Sequence, residues 1–250
     1  MIKIKSPEEI GFMVEGGRRL RQVYKELKTT VKVGISTEEI DKKAEELIIK
    51  AGGQSSFKKV ENYFWTICLP INEQIVHTPP SKRTLKNGDV LTIDIGMLYK
   101  GFHTDFADTF VVGQKSSFET DHFLEVGKQT LVKAIESARV GNRIGNISQI
   151  IEQEICKAGY FVIKDLTGHG VGRDLHEDPY IFGFLDRPIQ KTDLIKLGMT
   201  LAIEIIYSQG TEKMEFEKSD EWSIVTADRS LSACFEHTIA VTDKKALILT

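Results

Sequence analysis

The stretch GDVLTIDI at residues 88–95 has a counterpart 110 residues later, GMTLAIEI at residues 198–205. Both are apolar runs typical of a buried strand, and each carries one carboxylate at the same place, Asp94 in the first and Glu204 in the second. Acidic side chains are rarely buried without a partner. The repeat therefore predicts two related strands that each bring a carboxylate into the interior.

A second repeat has a similar offset. The pair Val33-Gly34 and the triplet Lys50-Ala51-Gly52 recur 107 residues later at 140–141 and 157–159. The interval between them is amphipathic in both copies, which predicts a turn, a helix and a glycine stop in each half.

These repeats predict one domain, residues 1–250, with pseudo-symmetric halves at about 1–115 and 116–250. Apolar residues recur with helical spacing at 8–28 and 120–138, which predicts that each half begins with a helix. No Pro-, Ser- or Gly-rich linker separates them, so we expect one α+β core with a shared antiparallel sheet. Strands are predicted at 66–69, 75–78, 90–98, 106–112, 161–165, 200–208, 222–226 and 235–242.

Composition excludes several classes of protein. The 250 residues carry 33 Lys and Arg against 36 Asp and Glu, a net charge of −3, which argues against nucleic-acid and membrane-surface partners. Three widely spaced cysteines favour reduced thiols. No apolar run approaches roughly 18 residues and no leader pattern is present, so we expect a soluble, cytoplasmic protein.

Asp94 and Asp105 flank a plausible turn at 99–101. A hairpin in which facing positions sum to 199 places the two acids directly opposite each other, where like charges are destabilising. Such a buried pair must share a proton or bind a cation. The alternative is a turn shifted by one residue, which points one Asp to water.

Glu204 and Glu236 lie in two further apolar runs, and a nearby Lys or Arg could pair with either acid. No Lys or Arg lies inside the predicted core strands that hold the four acids, which favours a cation site over ion pairs. The Gly-rich segment 167–177 adds His169 and His176, and we interpret it as a loop with close backbone contacts. A third imidazole, His77, lies in a strand-like stretch, although a lone His is more often a packed or surface residue.

Four carboxylates and one imidazole suit Mn, Fe, Co or Zn better than a structural zinc site with thiolates. The four negative charges match two divalent ions. Two such ions about 3.5–4 Å apart activate a shared water, which indicates hydrolytic chemistry.

The chain resembles the type I methionine aminopeptidases, which have the pita-bread fold and belong to the M24 metallopeptidases. The resemblance extends from the N-terminal stretch IKSPEEI to the last strand, and its most specific parts are GHGVGR at 168–173 and the stretch SLSACFEHTI at 230–239. It implies removal of the N-terminal methionine from newly made polypeptides, near the ribosome, when the second residue is small. It also implies a monomer.

The resemblance assigns roles to individual residues. It implies a dinuclear centre in which Asp94 binds one ion, His169 and Glu204 bind the other, and Asp105 and Glu236 bridge both. A bridging hydroxide attacks the scissile carbonyl and Glu204 shuttles a proton. His176 stabilises the carbonyl oxygen and His77 contacts the substrate near the scissile nitrogen. The pocket for the methionine side chain is lined by Tyr63, Cys68, Leu175 and Trp222.

The sequence departs from the family pattern at Ile205, Cys234, Leu175 and Thr78-Pro79, which bears on specificity. The segment Ile93–Gly96 is similar to prolidases and aminopeptidase P, relatives that normally have an additional N-terminal domain; we expect the compact form here. Two alternatives are therefore left open: an Xaa-Pro dipeptidase or aminopeptidase on the same metal site, and a non-catalytic peptide-binding module.

Overall fold

A central antiparallel sheet runs through both halves of the chain, and two pairs of helices pack on one of its faces. The computed structural model describes residues 1–114, 116–218 and 220–250. The predicted boundary residue Lys115 lies outside the described residues. The α+β class predicted from the sequence is confirmed.

The helices are α1 (Pro7–Thr30), α2 (Thr37–Lys50), α3 (Phe118–Ser137) and α4 (Ile144–Lys157), with 3-10 turns at Phe57–Lys59 and Ile189–Lys191. The strands are β1 (Gln54–Ser55), β2 (Gln74–Val76), β3 (Val90–Tyr99), β4 (Phe102–Val111), β5 (Phe161–Val162), β6 (Thr167–Gly170), β7 (Glu177–Phe182), β8 (Thr200–Ser208), β9 (Met214–Phe216), β10 (Ile224–Thr226), β11 (Ser232–Val241) and β12 (Ala246–Ile248).

The helices begin at strong capping signals. Ser6 accepts a hydrogen bond from the Glu9 backbone, and the Glu9 carboxylate accepts one from the Ser6 backbone, so α1 begins with a capping box. Ser36 and Glu39 do the same for α2. The bounds of α4 lie 107 residues after those of α2, the offset seen in the sequence repeat.

The strands predicted at 90–98 and 200–208 are confirmed as β3 and β8, whereas other predictions need correction. Residues 66–69 form no strand; Cys68 makes a single bridge to Asp94. The strand predicted at 161–165 ends at Val162.

The segment 167–177, interpreted as a loop, contains strand β6 over its first four residues. Its glycines allow the predicted close backbone approach, since a Cβ on Gly168 would lie 2.6 Å from the Ala202 carbonyl oxygen. Because glycine lacks this Cβ, a glycine-dense segment pairs here as a strand between β7 and β8.

The β3–β4 hairpin has a different register from the predicted one. Asp94 lies opposite Ala107 and Gly96 lies opposite Asp105, so facing positions sum to 201 and not 199. The reason is the two-residue turn at Lys100 and Gly101, whose φ angles of 49° and 82° are those of the hairpin turns with positive φ. A shift of two residues keeps both acids on one face, and they are therefore diagonal neighbours.

Within the described residues the large sheet has nine strands in the order β1-β3-β4-β11-β8-β6-β7, with β12 paired to β11 and β5 to β8. The halves of the chain meet where β4 pairs with β11, through Ala107 opposite Glu236 and Phe106 opposite His237. One ladder therefore continues from β3 through β4 and β11 to β8.

The helix-facing side of this sheet is apolar. Ile93, Ile95 and Phe106 pack with buried residues of α1 and α2 in one cluster. Ile203 and Phe235 pack with α3 and α4 in another. Because side chains alternate along a strand, this packing sends the intervening residues to the opposite face.

A small sheet of β2, β10 and β9 brings residues of both halves together, with Val76 opposite Ile224. His77 directly follows β2. None of the helices in the described part of the chain combines the length and apolar character needed to cross a membrane.

Candidate metal centre

One row of residues crosses the four middle strands on the face away from the helices. Asp94 lies opposite Ala107, Ala107 opposite Glu236, and Glu236 opposite Glu204. Directly opposite residues in a ladder project to the same side. The pairing thus brings three of the predicted ligands together from β3, β11 and β8.

The neighbouring row supplies the other two predicted ligands. Asp105 lies two residues before Ala107 on β4, and His169 on β6 is opposite Ala202, two residues before Glu204. The Asp105 backbone is fixed by Thr238, whose hydroxyl accepts from the Asp105 amide at 2.8 Å and donates to its carbonyl oxygen at 2.9 Å. The five predicted ligands consequently share one face of the sheet.

The side chains of these residues are close to one another. Asp105, His169 and Glu236 each offer a ligand atom, and these atoms lie within 4.8 Å of one another. Nε2 of His169 is 3.4 Å from Oε1 of Glu204. Nδ1 of His169 donates to the Gly170 carbonyl oxygen at 2.8 Å, which leaves Nε2 of the neutral ring with its lone pair toward the acids.

Burial makes this cluster electrostatically costly. Asp105 and Glu236 are 4% and 3% exposed. Loss of hydration raises the pKa of Asp105 to about 7. Desolvation, followed by repulsion from the neighbouring carboxylates, raises the pKa values of Asp94, Glu204 and Glu236 well above their ordinary range. Burial also lowers the pKa of His169 to about 3, so its ring is neutral.

The residues present fit a divalent cation. Oε1 of Glu236 is buried and has no hydrogen-bond partner among the described residues. Of the Lys and Arg residues that the structure describes, none forms an ion pair with the four acids; the neutral ring of His169 lies beside Glu204. Buried carboxylates are ordinarily paired or bound to metal. Carboxylate oxygens with one imidazole nitrogen suit Mn, Fe, Co or Zn.

The cluster forms the floor of a cavity. All eleven residues predicted for the site line it: the five ligands Asp94, Asp105, His169, Glu204 and Glu236, the two further histidines His77 and His176, and the pocket residues Tyr63, Cys68, Leu175 and Trp222.

One side of the cavity is an apolar pocket. Phe57, Tyr63, Cys68 and Leu175 form a buried cluster against which Trp222 packs. The Tyr63 and Trp222 rings meet edge to face with centroids 5.0 Å apart. The Tyr63 hydroxyl donates to the Ile67 carbonyl oxygen at 3.0 Å, so the polar end of this ring is already satisfied.

The two further histidines are exposed to the cavity. The ring of His176 lies edge-on to that of His169, with centroids 4.4 Å apart. His77 has a φ of 59°, a conformation that is strained for a side chain of this size and clusters at functional sites. Desolvation lowers the pKa of both rings, which keeps them neutral near pH 7.

Sequence reasoning missed several residues of the cavity wall. Ile206 follows Glu204 by two residues on β8 and Val76 precedes His77, so strand alternation and adjacency could have identified them. Phe57 lies in a 3-10 turn far from any motif, and no sequence signal marks it. The remaining unpredicted lining residues are Val60, Asp165, Leu166, Thr167 and Tyr180.

Comparison with known proteins agrees with this geometry. The model of metallopeptidase family M24 matches residues 12–243. Methionine aminopeptidase 1 of Bacillus subtilis is 41% identical over 250 residues, covering 100% of this chain and 99% of the relative.

Solved structures give the same result for the fold. The methionine aminopeptidase structure from Thermotoga maritima superposes with a TM-score of 0.95 at 34% identity and covers 100% of this chain and 99% of that one. Prolidase from Pyrococcus furiosus, at 22% identity, has a TM-score of 0.79 and covers 99% of this chain and 65% of that one. The pita-bread fold expected from the sequence is confirmed.

We expect the metal-free protein to lose stability as the pH rises through about 7. The raised pKa of Asp105 means that the folded chain binds more protons than the unfolded chain, so the free energy of unfolding falls with pH until the folded pKa is passed. Denaturant unfolding in chelator at pH 5, 6, 7 and 8 measures this trend. In Asp105→Asn the free energy of unfolding should fall less with pH. Identical pH dependence in the two proteins would contradict the raised pKa of Asp105.

Proposed function

The chain belongs to metallopeptidase family M24, and on this premise we propose that it is a methionine aminopeptidase that removes N-terminal methionine from newly made polypeptides. The observation that carries the proposal is the junction of an apolar pocket with the carboxylate cluster in one cavity. We propose that the reaction takes place in the cytoplasm. Its substrates would be polypeptides whose second residue is small.

The apolar pocket suits a methionine side chain. That side chain is unbranched and its thioether makes favourable contacts with aromatic ring edges. Phe57, Tyr63 and Trp222 supply such rings, while Cys68 and Leu175 supply apolar surface. A methionine seated there brings its carbonyl carbon toward the acids and the two exposed histidines.

Two divalent cations would balance the four carboxylate charges of the cluster. They would be held by Asp94, Asp105, His169, Glu204 and Glu236. Ions in this position would supply Lewis acidity and an activated water nucleophile. The Glu204 carboxylate lies at the cavity, where it accepts a proton from the nucleophile and returns it to the leaving nitrogen.

His176 and His77 act on the substrate from the cavity wall. A neutral imidazole can donate one N–H, and His176 donates it to the scissile carbonyl oxygen as negative charge develops there. His77 contacts the peptide near the scissile nitrogen. Its strained backbone conformation is consistent with a side chain held in place for function.

Substrate class is tested with a panel of short peptides assayed under Mn, Fe, Co and Zn in turn. We expect cleavage of Met-Ala and Met-Gly peptides after the methionine, weak cleavage when the second residue is large, and no cleavage of Xaa-Pro peptides in which the first residue is not methionine. Hydrolysis of Xaa-Pro peptides alone would overturn the proposal in favour of a proline-directed peptidase. A chain that neither binds metal nor cleaves any peptide would be a non-catalytic module.

We expect Asp105→Ala to abolish turnover, because the substitution removes a carboxylate that faces the centre from β4. Asp108→Ala is the matched control, since Asp108 lies on the same strand but contacts Tyr24 and Lys28 on the helix side. Turnover and metal content are measured together with metal in excess. Near-normal turnover of Asp105→Ala would rule out its role as a ligand.

We expect His176→Ala to lower kcat by about 10²–10³ while the metal content stays normal, which is the cost of losing one donor to an oxyanion. Steady-state kinetics on a Met-Ala peptide and metal analysis of the same sample measure this. Loss of metal together with activity would instead identify His176 as a ligand.

A further inference from the structure

We propose that Lys5 and Glu177 are positioning residues for His176, through a buried ion pair that fastens the start of the chain to the loop at 171–176. The proposal rests on the proposed role of His176. It adds two residues, 172 positions apart in the sequence, that do not line the cavity.

The ion pair is deeply buried. The side chains of Lys5 and Glu177 are 4% and 1% exposed, and Nζ of Lys5 donates directly to Oε2 of Glu177. The Lys5 backbone amide also donates to the Gly198 carbonyl oxygen at 2.9 Å, which fixes this part of the chain beside β8. Buried ion pairs contribute little net stability because both charges lose their hydration, so this pair calls for another explanation.

Glu177 closes the loop that carries His176. Its Oε1 accepts from the backbone amide of Arg173 at 2.9 Å and from that of Asp174 at 3.2 Å. The carboxylate therefore joins the residues before His176 to the residue after it. One oxygen holds the loop and the other holds Lys5.

Lys5 lies against the loop backbone itself. A Cβ on Gly172 would lie 2.2 Å from Cε of Lys5, so residue 172 must be glycine for the lysine to occupy this place. On the inner side, the Gly172 carbonyl oxygen accepts from the His103 amide of β4 at 2.7 Å. The loop is thus held between β4, which carries Asp105, and the Lys5 side chain.

Other ion pairs join the same parts of the chain: Lys3 pairs with Asp174 and Arg173 with Glu9, both exposed, and Nζ of the exposed Lys3 is also 3.6 Å from Oε1 of Glu177. Water and salt screen such exposed pairs. The buried pair is the contact that can fix His176 to within a fraction of an ångström, which matters because a misplacement of about 1 Å can cost about 10²-fold in rate.

The double variant Lys5→Met with Glu177→Gln tests this. Met fills the space of the lysine stem, and the Gln oxygen still accepts from the two loop amides, so no lone charge is left buried. We expect kcat on a Met-Ala peptide to fall by about 10-fold or more, with KM and metal content unchanged. Lys5→Arg should retain most of the rate, and Glu9→Gln, which removes only the exposed pair with Arg173, is the control with a rate near that of the wild type.

A double-mutant cycle separates positioning from a general structural effect. Placed in the His176→Ala background, the Lys5/Glu177 double variant should cause no further loss, because its effect passes through His176. An equal additional loss in that background, or a wild-type kcat in the double variant alone, would overturn the proposal.

A second readout does not depend on peptidase activity. In the metal-free protein the ring signals of His176 in NMR spectra should shift or broaden in the double variant, whereas those of His122, exposed on α3, should not. Unchanged His176 signals would overturn the positioning role. Absence of Met-peptide cleavage by the wild type, with shifted His176 signals in the double variant, would overturn only the proposed function.

Discussion

The rest of the molecule depends on four carboxylates that face one another across the middle of a sheet. They have no lysine or arginine partner in the described structure. Asp94, Glu236 and Glu204 lie in one ladder row and Asp105 in the next. Their mutual repulsion in a poorly hydrated site is a cost that the apolar helix side of the sheet must offset. The cluster is explained when cations complete it, since a cation removes the repulsion and satisfies the orphaned oxygen of Glu236.

The residues around the cavity lie on two kinds of structure, strands and connecting segments. The candidate ligands lie on strands that are fixed by backbone ladders, whereas His176 and the pocket residues predicted from the sequence lie on connecting segments held by specific contacts. Asp41 on α2 is an example, because its carboxylate accepts from the Thr66 and Ile67 amides and so steadies the segment that carries Tyr63 and Cys68. Precise placement on loops therefore depends on buried polar contacts from distant parts of the chain.

The acids of the cluster could be predicted from sequence because a local pattern identifies them: an acid in an apolar strand is visible without knowing the fold. His169 had no such pattern, and its place as a candidate ligand came from the family resemblance. The internal repeat helped only in part. Glu204 is the counterpart of Asp94 in the repeat, but their ladder partners differ. Glu204 lies opposite an acid, Glu236. Asp94 lies opposite Ala107, and the acid of that strand, Asp105, lies two residues away. Periodicity gave the face of each strand, while the register depended on the turn at Lys100 and Gly101. Phe57 and the pair Lys5–Glu177 were invisible because they are defined by contacts between distant segments.

The seam between the two halves has a consequence for the lifetime of the protein. Within the described residues, β4 and β11 share two ladder pairs, and one of them contains Glu236. A cation held by Asp105 on one side and by Glu236 and His169 on the other would fasten this seam from the cavity side. Anything that binds only the folded state shifts the folding equilibrium by mass action. Metal supply would then govern the fraction of molecules that are folded and escape proteolysis, so the abundance of the protein in the cell would follow metal availability.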